Sequence, residues 1–221
     1  MRMLALTFML FWCSSFAYGQ DIGSVDIVGG AAMLMSDVAH GRVKVRRISP
    51  GVAQVKALLD ESNVHLTLLS ELSKNRNVPR PYAESIAEDA AILQDIRKHG
   101  IIGQPQYEQI KAVNADLRIK ADHAEMAPEA AFDTIEIVVH TRKNGQELGN
   151  YQIWYVKEAY RNDASKYQTF DRFSSPASRK MPPGKYLMWA QATDGSKAMG
   201  EKTPKEFGDG QAKVETDLGA P

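Results

Sequence analysis

The spacing of apolar residues changes from a helical to a strand period near Ala131, and this change constrains the fold more than any other feature of the chain. Before Ala131, apolar residues recur at three- and four-residue steps, as on one face of a helix. After it they alternate with their neighbours, as in a strand with one face in a core. The sequence therefore predicts an α+β protein, with a helical region over residues 51–127 and an antiparallel β-sandwich domain over residues 131–218.

Three helices with short joints are predicted in the first region, forming a helical hairpin or a three-helix unit. Pro50, Pro81 and Pro105 stand where helices can begin, because proline is well tolerated in a first helical turn. Lys98-His99-Gly100 suits a helix end, with basic residues and a C′ glycine. The apolar stripes could also form a seam between two copies, but they are too short and irregular for a sustained heptad. Residues 20–50 show no clear pattern, although Val25 to Val28 could form a strand and Ala31 to Ala39 a short helix.

Residues 1–19 have the features of a secretory signal peptide. Arg2 supplies a positive start, Leu4 to Trp12 is apolar, and Phe16-Ala17-Tyr18-Gly19 offers a small residue for cleavage after Ala17 or Gly19. The apolar run is shorter than the roughly 18 residues that a membrane span requires, so no transmembrane anchor is expected. We therefore expect an exported protein in the periplasm or outside a bacterial cell.

The single cysteine, Cys13, lies within this leader. Cleavage would leave a chain without disulfides, thiolate chemistry or cysteine-bound zinc. The 27 basic and 27 acidic residues balance, which disfavours nucleic acid as a partner because phosphate binding needs a concentrated positive surface. The basic run Arg42 to Arg47 is interpreted as a solvated edge strand, and contact with an anionic surface is the alternative.

Four strands are predicted in the second region, around residues 135–140, 151–156, 185–192 and 213–218, with one more around 168–173. Ile153, Tyr155, Tyr186, Met188 and Ala190 are expected to face the sandwich core. Residues 163–179 form a longer excursion between the predicted strands.

Four apolar residues are predicted to share the outer face of two neighbouring strands, and they are the candidate binding residues: Trp154, Val156, Leu187 and Trp189. Three interpretations compete for this patch. The helical region could pack over it and complete a second core layer. A partner protein or a second copy could cover it. The indoles could instead form a platform for a carbohydrate of the cell envelope.

Two stretches of the second region resemble a known family. They are residues 141–153, with Asn144-Gly145 at a turn, and Met181-Pro182-Pro183-Gly184-Lys185-Tyr186. Both are similar to carboxypeptidase-regulatory-like and collagen-adhesin B-type repeats. The resemblance covers residues 133–218 and implies a transthyretin-like sandwich of about seven strands acting as a structural or binding module. The family has no common catalytic residues to carry over, and the excursion over residues 163–179 departs from its pattern.

Catalytic and metal-binding motifs are sparse in the sequence. It has no Gly-x-Ser-x-Gly elbow, its five histidines are scattered, and carboxylate pairs such as Glu88-Asp89 are ordinary in a helix. No catalytic residue, metal or cofactor is predicted. The sequence favours an exported envelope protein acting as a non-catalytic binding or structural module. The alternatives are an envelope hydrolase or carbohydrate-processing enzyme with a dispersed carboxylate site, and an adhesion or assembly subunit.

Overall fold

The computed structural model describes residues 27–46, 48–49, 51–74, 76–126, 132–172, 175–194, 196 and 198–221. Within these ranges four α-helices come first and most of the strands follow, so the predicted α+β class is confirmed. The predicted signal peptide, residues 1–19, lies outside the described residues.

The helices are α1 (Ile27–Ala39), α2 (Val52–Ser73), α3 (Arg80–His99) and α4 (Gln104–Met126). The strands are β1 (Lys44–Val45), β2 (Ile101–Ile102), β3 (Ile135–Lys143), β4 (Gln146–Glu147), β5 (Tyr151–Lys157), β6 (Gln168–Thr169), β7 (Ala177–Met181), β8 (Gly184–Ala192), β9 (Thr203–Phe207) and β10 (Lys213–Gly219). Short 3₁₀ turns occupy residues 158–160 and 164–166.

The three predicted helices form close to their predicted limits. α3 has Pro81 in its first turn, where a missing N–H costs no helical hydrogen bond. It ends in three basic residues followed by Gly100, which adopts the left-handed conformation at φ 72°. Glycine takes this conformation without a Cβ clash, so the sequence signal for the end of α3 is confirmed.

The N-terminal segment is more regular than the sequence suggested. α1 begins at Ile27, so the strand considered for Val25 to Val28 is wrong for its last two residues, and residues 25 and 26 lie outside the described part of the chain. Leu34 of α1 is fully buried in the helical core with residues of α2, α3 and α4. The basic edge strand is reduced to β1, which pairs in parallel with β2.

The second region is a sandwich of two sheets. One sheet has β3 between β10 and the two strands β4 and β7, and the other has the order β6-β5-β8-β9. β10 runs parallel to β3, which differs from the expected all-antiparallel arrangement. The five residues predicted to face the sandwich core do so. β7 and β9 were not predicted, because their polar residues alternate with few large apolar ones.

The helical unit packs against the sandwich at the start of β8 and the end of β5. α4 contacts β8 and the turn at residues 158–160. Ala159 of this turn is buried in the helical core, and Tyr160 beside it packs against that core. The two units therefore share a continuous interface, which we call the joint.

Candidate binding cleft and its buried charge cluster

Four charged side chains are buried at the joint, and we call them the charge cluster: Asp89 of α3, Asp116 and Lys120 of α4, and Lys157 of β5. Their exposed fractions are 0%, 3%, 0% and 8% respectively. Charged groups are rarely this buried unless they are paired, because leaving water costs several kcal/mol per ion.

Each member of the charge cluster is placed by its own element. Asp116 and Lys120 are four residues apart, so they lie on one face of α4. Lys157 ends β5 with the same alternation as Ile153 and Tyr155, which directs it towards the end of the sandwich core that meets the helices.

Lysine ammonium groups link the two carboxylates of the charge cluster. Lys120 Nζ donates to Asp89 Oδ2 at 2.8 Å and also to Asp116 Oδ2. Lys157 Nζ donates to Asp89 Oδ1 at 3.0 Å and to the Ser85 carbonyl oxygen at 2.6 Å, and it lies 3.4 Å from Asp116 Oδ2. Two helices and one strand are thereby joined by hydrogen bonds between opposite charges, which are stronger than neutral ones.

The start of β8 is held by the same cluster. The backbone N–H of Lys185 donates to Asp116 Oδ1 at 2.6 Å. Gly184 precedes it, and a Cβ at position 184 would overlap that carboxylate oxygen. The glycine therefore permits the close approach of α4 to β8.

The two carboxyl groups of the cluster have pKa values shifted in opposite directions. Burial raises the pKa of Asp89 to about 6, and the neighbouring Asp116 charge adds to this, against the opposing effect of the two lysines. Burial also acts to raise the pKa of Asp116, but the charges of Lys120 and Lys157 lower it to about 2. For Lys157, burial opposes the charged form, and the Asp89 and Asp116 carboxylates outweigh it and raise its pKa. Asp89 is therefore the member that first gains a proton as the pH falls.

This difference predicts a pH dependence that substitution of Asp89 should remove. Folded Asp89 keeps its proton to a higher pH than the unfolded side chain, whose ordinary pKa is 3.8. The folded protein then binds more protons between about pH 4 and pH 6, so this group lowers the free energy of unfolding as the pH rises through that window. Ionised Asp116, in contrast, stabilises the folded protein, and this stabilisation is lost only as the pH falls below about 4.

We expect the unfolding free energy of the wild type, minus that of Asp89→Asn, to fall by about 1 to 3 kcal/mol between pH 4 and pH 7. Urea unfolding at several pH values measures this difference. The Asp89 carboxyl carbon shift in NMR should also titrate near pH 6. If this difference in unfolding free energy stayed constant or rose with pH, and the Asp89 carboxyl titrated near pH 4, the raised pKa of Asp89 would be contradicted.

A cleft of about 340 Å³ opens beside the charge cluster, between α3 and the sandwich. Ser85 and Lys157 are among its buried polar residues, and Tyr155 and Tyr160 add aromatic surface. We call it the joint cleft. Its volume lies at the lower end of the range of about 300 to 1,000 Å³ that is usual for small-molecule sites.

The two walls of the joint cleft carry opposite charge. The α3 wall presents Glu84 and Glu88, whose side chains are 53% and 43% exposed. The sandwich wall presents Lys166, Arg179 and Lys180. Some of these charges are already paired: Arg80 binds Glu84 at 2.6 Å, Asp171 binds Arg179 at 3.0 Å, and Glu88 Oε2 lies 3.4 Å from Lys157 Nζ. Lys180 makes no ion pair with any described residue.

One polar group lining the joint cleft lacks a partner. Ser85 is 4% exposed, and its hydroxyl makes no hydrogen bond to any described residue. A buried hydroxyl without a partner costs about 1 to 3 kcal/mol, and such groups are rare enough to require a reason.

A larger cleft of about 990 Å³ lies on another side of the joint, between α3, α4 and residues 158–163. None of the buried polar atoms without a partner among the described residues belongs to its lining. No member of the charge cluster lines this larger cleft. The joint cleft is therefore the better candidate site.

The four residues predicted as a surface patch do lie together, but they are mostly covered. Trp154 is directly opposite Trp189 across β5 and β8, with ring centroids 6.2 Å apart. Val156, Leu187 and Trp189 are 2%, 3% and 2% exposed, and only Trp154 is half-buried. Little open apolar surface remains, so of the three interpretations of this patch, cover by another part of the chain agrees with this burial.

Side chains that follow β5 and β8, rather than the predicted helices, supply this cover. Tyr160 and Tyr167 pack against the patch, and Tyr160 also packs against the helical core. Lys202 Nζ lies 4.7 Å from the Trp189 ring centroid and donates to the Tyr167 hydroxyl at 2.6 Å. Residues 158–167 are mostly polar and show no apolar period, so the sequence did not indicate that this segment packs on the patch.

The charge cluster was missed at the sequence level, where Glu88-Asp89 was interpreted as an ordinary helical pair. One signal was present: Asp89 lies beside Ala90 in the apolar stripe of α3, between Ile86 and Leu93. Among the described residues, no group of three or more histidine, cysteine or acidic side chains could hold a metal ion. No helix in those ranges is long and apolar enough to cross a membrane.

Comparison of the chain with protein-family models, curated proteins and solved structures gave no match.

Proposed function

We propose that this protein is an exported envelope protein that acts as a non-catalytic binding module, with the joint cleft as its ligand site. The observation that carries the proposal is the unpartnered, buried Ser85 hydroxyl in a small cleft whose two walls carry opposite charge. Export is supported by the leader features of residues 1–19. The likeness of residues 133–218 to carboxypeptidase-regulatory-like repeats stays a prediction, and it agrees with a binding role.

The charge cluster supports binding because it fixes one wall of the cleft relative to the other. Asp89 and Ser85 belong to α3, while Lys157 belongs to the sandwich. A preformed cleft loses less conformational entropy when a ligand binds, which increases affinity. The cluster is thus assigned a positioning role.

The burial of the cluster also favours binding over acid–base catalysis. Asp89 and Asp116 are almost fully buried, and their oxygens accept hydrogen bonds from Lys120, Lys157 and the Lys185 backbone. A general acid or base must come within hydrogen-bond reach of the substrate proton. Carboxylates enclosed by lysines in this way are suited to holding α3, α4 and the sandwich together.

The proposed ligand site lies away from the sheet face that carries the four candidate binding residues. Because residues 160 and 167 and Lys202 cover that face, a flat carbohydrate platform has only Trp154 to offer. The joint cleft, in contrast, combines a concave shape with charged and aromatic side chains.

A blocking substitution tests the site. Saturation-transfer NMR would screen the purified protein against free amino acids, dipeptides, dicarboxylates and mono- and disaccharides. We expect at least one of these classes to bind, and Glu84→Trp, at the rim of the joint cleft, to weaken that binding at least tenfold. The same samples followed over time should show no turnover.

Glu71→Trp is the matched control, because Glu71 is 60% exposed on α2 and lies outside the lining of the cleft. This variant should bind like the wild type. The proposal is overturned if no class binds, if Glu84→Trp binds as tightly as the wild type, or if a probe is hydrolysed.

A further inference from the structure

We infer that the joint cleft takes a small zwitterionic ligand, a free amino acid or a short peptide, with its ammonium group on the α3 wall and its carboxylate on the sandwich wall. The inference rests on the proposed function, because it names the ligand class of the same cleft. It is carried by the placement of acidic side chains on one wall and basic side chains on the other.

The α3 wall is suited to an ammonium group. Residues 81, 84, 85 and 88 are spaced by three, one and three positions, so they share one face of α3. Glu88 is the carboxylate of this face nearest the cluster, at 3.4 Å from Lys157 Nζ. Lys157 is already engaged by Asp89 and the Ser85 carbonyl, so Glu88 retains acceptor capacity for a second cation.

The sandwich wall is suited to a carboxylate. Lys180 is exposed on β7 and makes no ion pair with any described residue. Lys166 lies over the Tyr160 ring at 5.1 Å and makes no ion pair with any described residue. Lys157 itself is a poor anion site, because Asp89 and Asp116 neutralise it. The attraction for an anion therefore lies on this outer wall.

A ligand with both charges fits this arrangement better than an anion or a cation alone. A simple anion would meet Glu84 and Glu88 across the cleft, and a simple cation would meet Lys166 and Lys180. Like charges brought together oppose binding, so opposite walls select against singly charged ligands. The Ser85 hydroxyl adds a neutral hydrogen-bonding group between the two walls.

Four forms of one dipeptide test the inference. The probes are alanyl-alanine, its N-acetyl form, its C-terminal amide and the form blocked at both ends, each titrated into the purified protein by NMR. We expect alanyl-alanine to bind at least tenfold more tightly than either singly blocked form. The doubly blocked form should bind most weakly.

Two substitutions should divide these effects between the walls. Glu88→Gln should weaken alanyl-alanine and its amide about three- to fivefold without weakening the N-acetyl form, because exposed ion pairs contribute up to about 1 kcal/mol. Lys180→Met should weaken alanyl-alanine and the N-acetyl form by a similar factor without weakening the amide. Glu71→Gln on α2 and Lys213→Met on β10 are matched controls that should change nothing.

The outcomes separate this inference from the proposed function. If a sugar or dicarboxylate binds and Glu84→Trp removes it while alanyl-alanine does not bind, the ligand class is wrong and the site is right. If the blocked forms bind as well as alanyl-alanine, or if both substitutions weaken every form equally, the opposed-wall inference is overturned. If nothing in either panel binds, both proposals fail.

Discussion

Replacing Lys120 by methionine is expected to lower the free energy of unfolding by about 3 to 5 kcal/mol, because it breaks a buried ion pair from one side. Methionine keeps most of the side-chain volume, so packing is largely preserved. The loss arises because Asp89 and Asp116 are left buried with Lys157 as their only cluster lysine. Urea unfolding followed by circular dichroism measures the change.

Lys111→Met is the matched control for this prediction. Lys111 lies on the same helix and pairs with Glu108 at 3.1 Å, but its side chain is 49% exposed. Its loss should cost less than about 1 kcal/mol. Equal effects of the two substitutions would contradict the assignment of a structural role to the buried cluster.

A double variant sharpens the Lys120 prediction. Asp89→Asn in the Lys120→Met background removes the carboxylate that has lost its partner. We expect the double variant to lose less unfolding free energy than the sum of the two single losses, because the residues share one network. If the two losses of unfolding free energy simply added, Lys120 and Asp89 would not interact energetically, although Lys120 Nζ lies 2.8 Å from Asp89 Oδ2.

Gly184→Ala is expected to lower the free energy of unfolding by about 2 to 4 kcal/mol. The new Cβ would overlap Asp116 Oδ1, so the carboxylate must move away from the Lys185 backbone N–H that it binds at 2.6 Å. The substitution therefore combines overpacking with the loss of a charged hydrogen bond, although it adds only one methyl group. Thermal and urea unfolding both measure it.

Gly149→Ala provides the comparison. A Cβ at position 149 has nothing within 4 Å, and the residue is exposed between β4 and β5. We expect its effect to stay within about 0.5 kcal/mol. If Gly184→Ala were equally mild, the close contact between α4 and β8 would not be needed for stability.

Much of the local structure could be predicted from the sequence, because short-range signals determine it. Pro81 and Gly100 mark the ends of α3, and strict alternation assigned Ile153 and Tyr155 to the sandwich core. Trp154 and Trp189 were also correctly placed on one face of neighbouring strands, and the structure puts them directly opposite each other. These signals depend on periods of 3.6 and 2 residues, which a single segment contains.

The candidate site could not be predicted in the same way, because its contacts join distant segments. Lys120 and Asp89 are 31 residues apart, and Lys157 and Asp89 are 68 residues apart. A charged residue on an apolar face signals that a partner exists, but it does not say which one. Cover over Trp189 was considered, but the segment that supplies it was missed for a related reason, since Tyr167 lies in a segment without any regular period.

A joint between two structural units is a favourable place for a ligand site. The charge cluster keeps α3 and the sandwich at a fixed separation, while the side chains at the mouth remain accessible. Sites at the boundary between structural units are common, since two surfaces meet there and leave a concave space.

Amide chemical-shift mapping tests the central claim most directly. The isotopically labelled protein would be titrated with the tightest-binding probe of the mixed panel. We predict that the largest shifts fall on residues 84–88 of α3 and 179–181 at the end of β7, which line the joint cleft from its two walls. Shifts confined to Trp154, Tyr167, Trp189 and Lys202, or to the larger cleft between α3 and α4, would contradict the account.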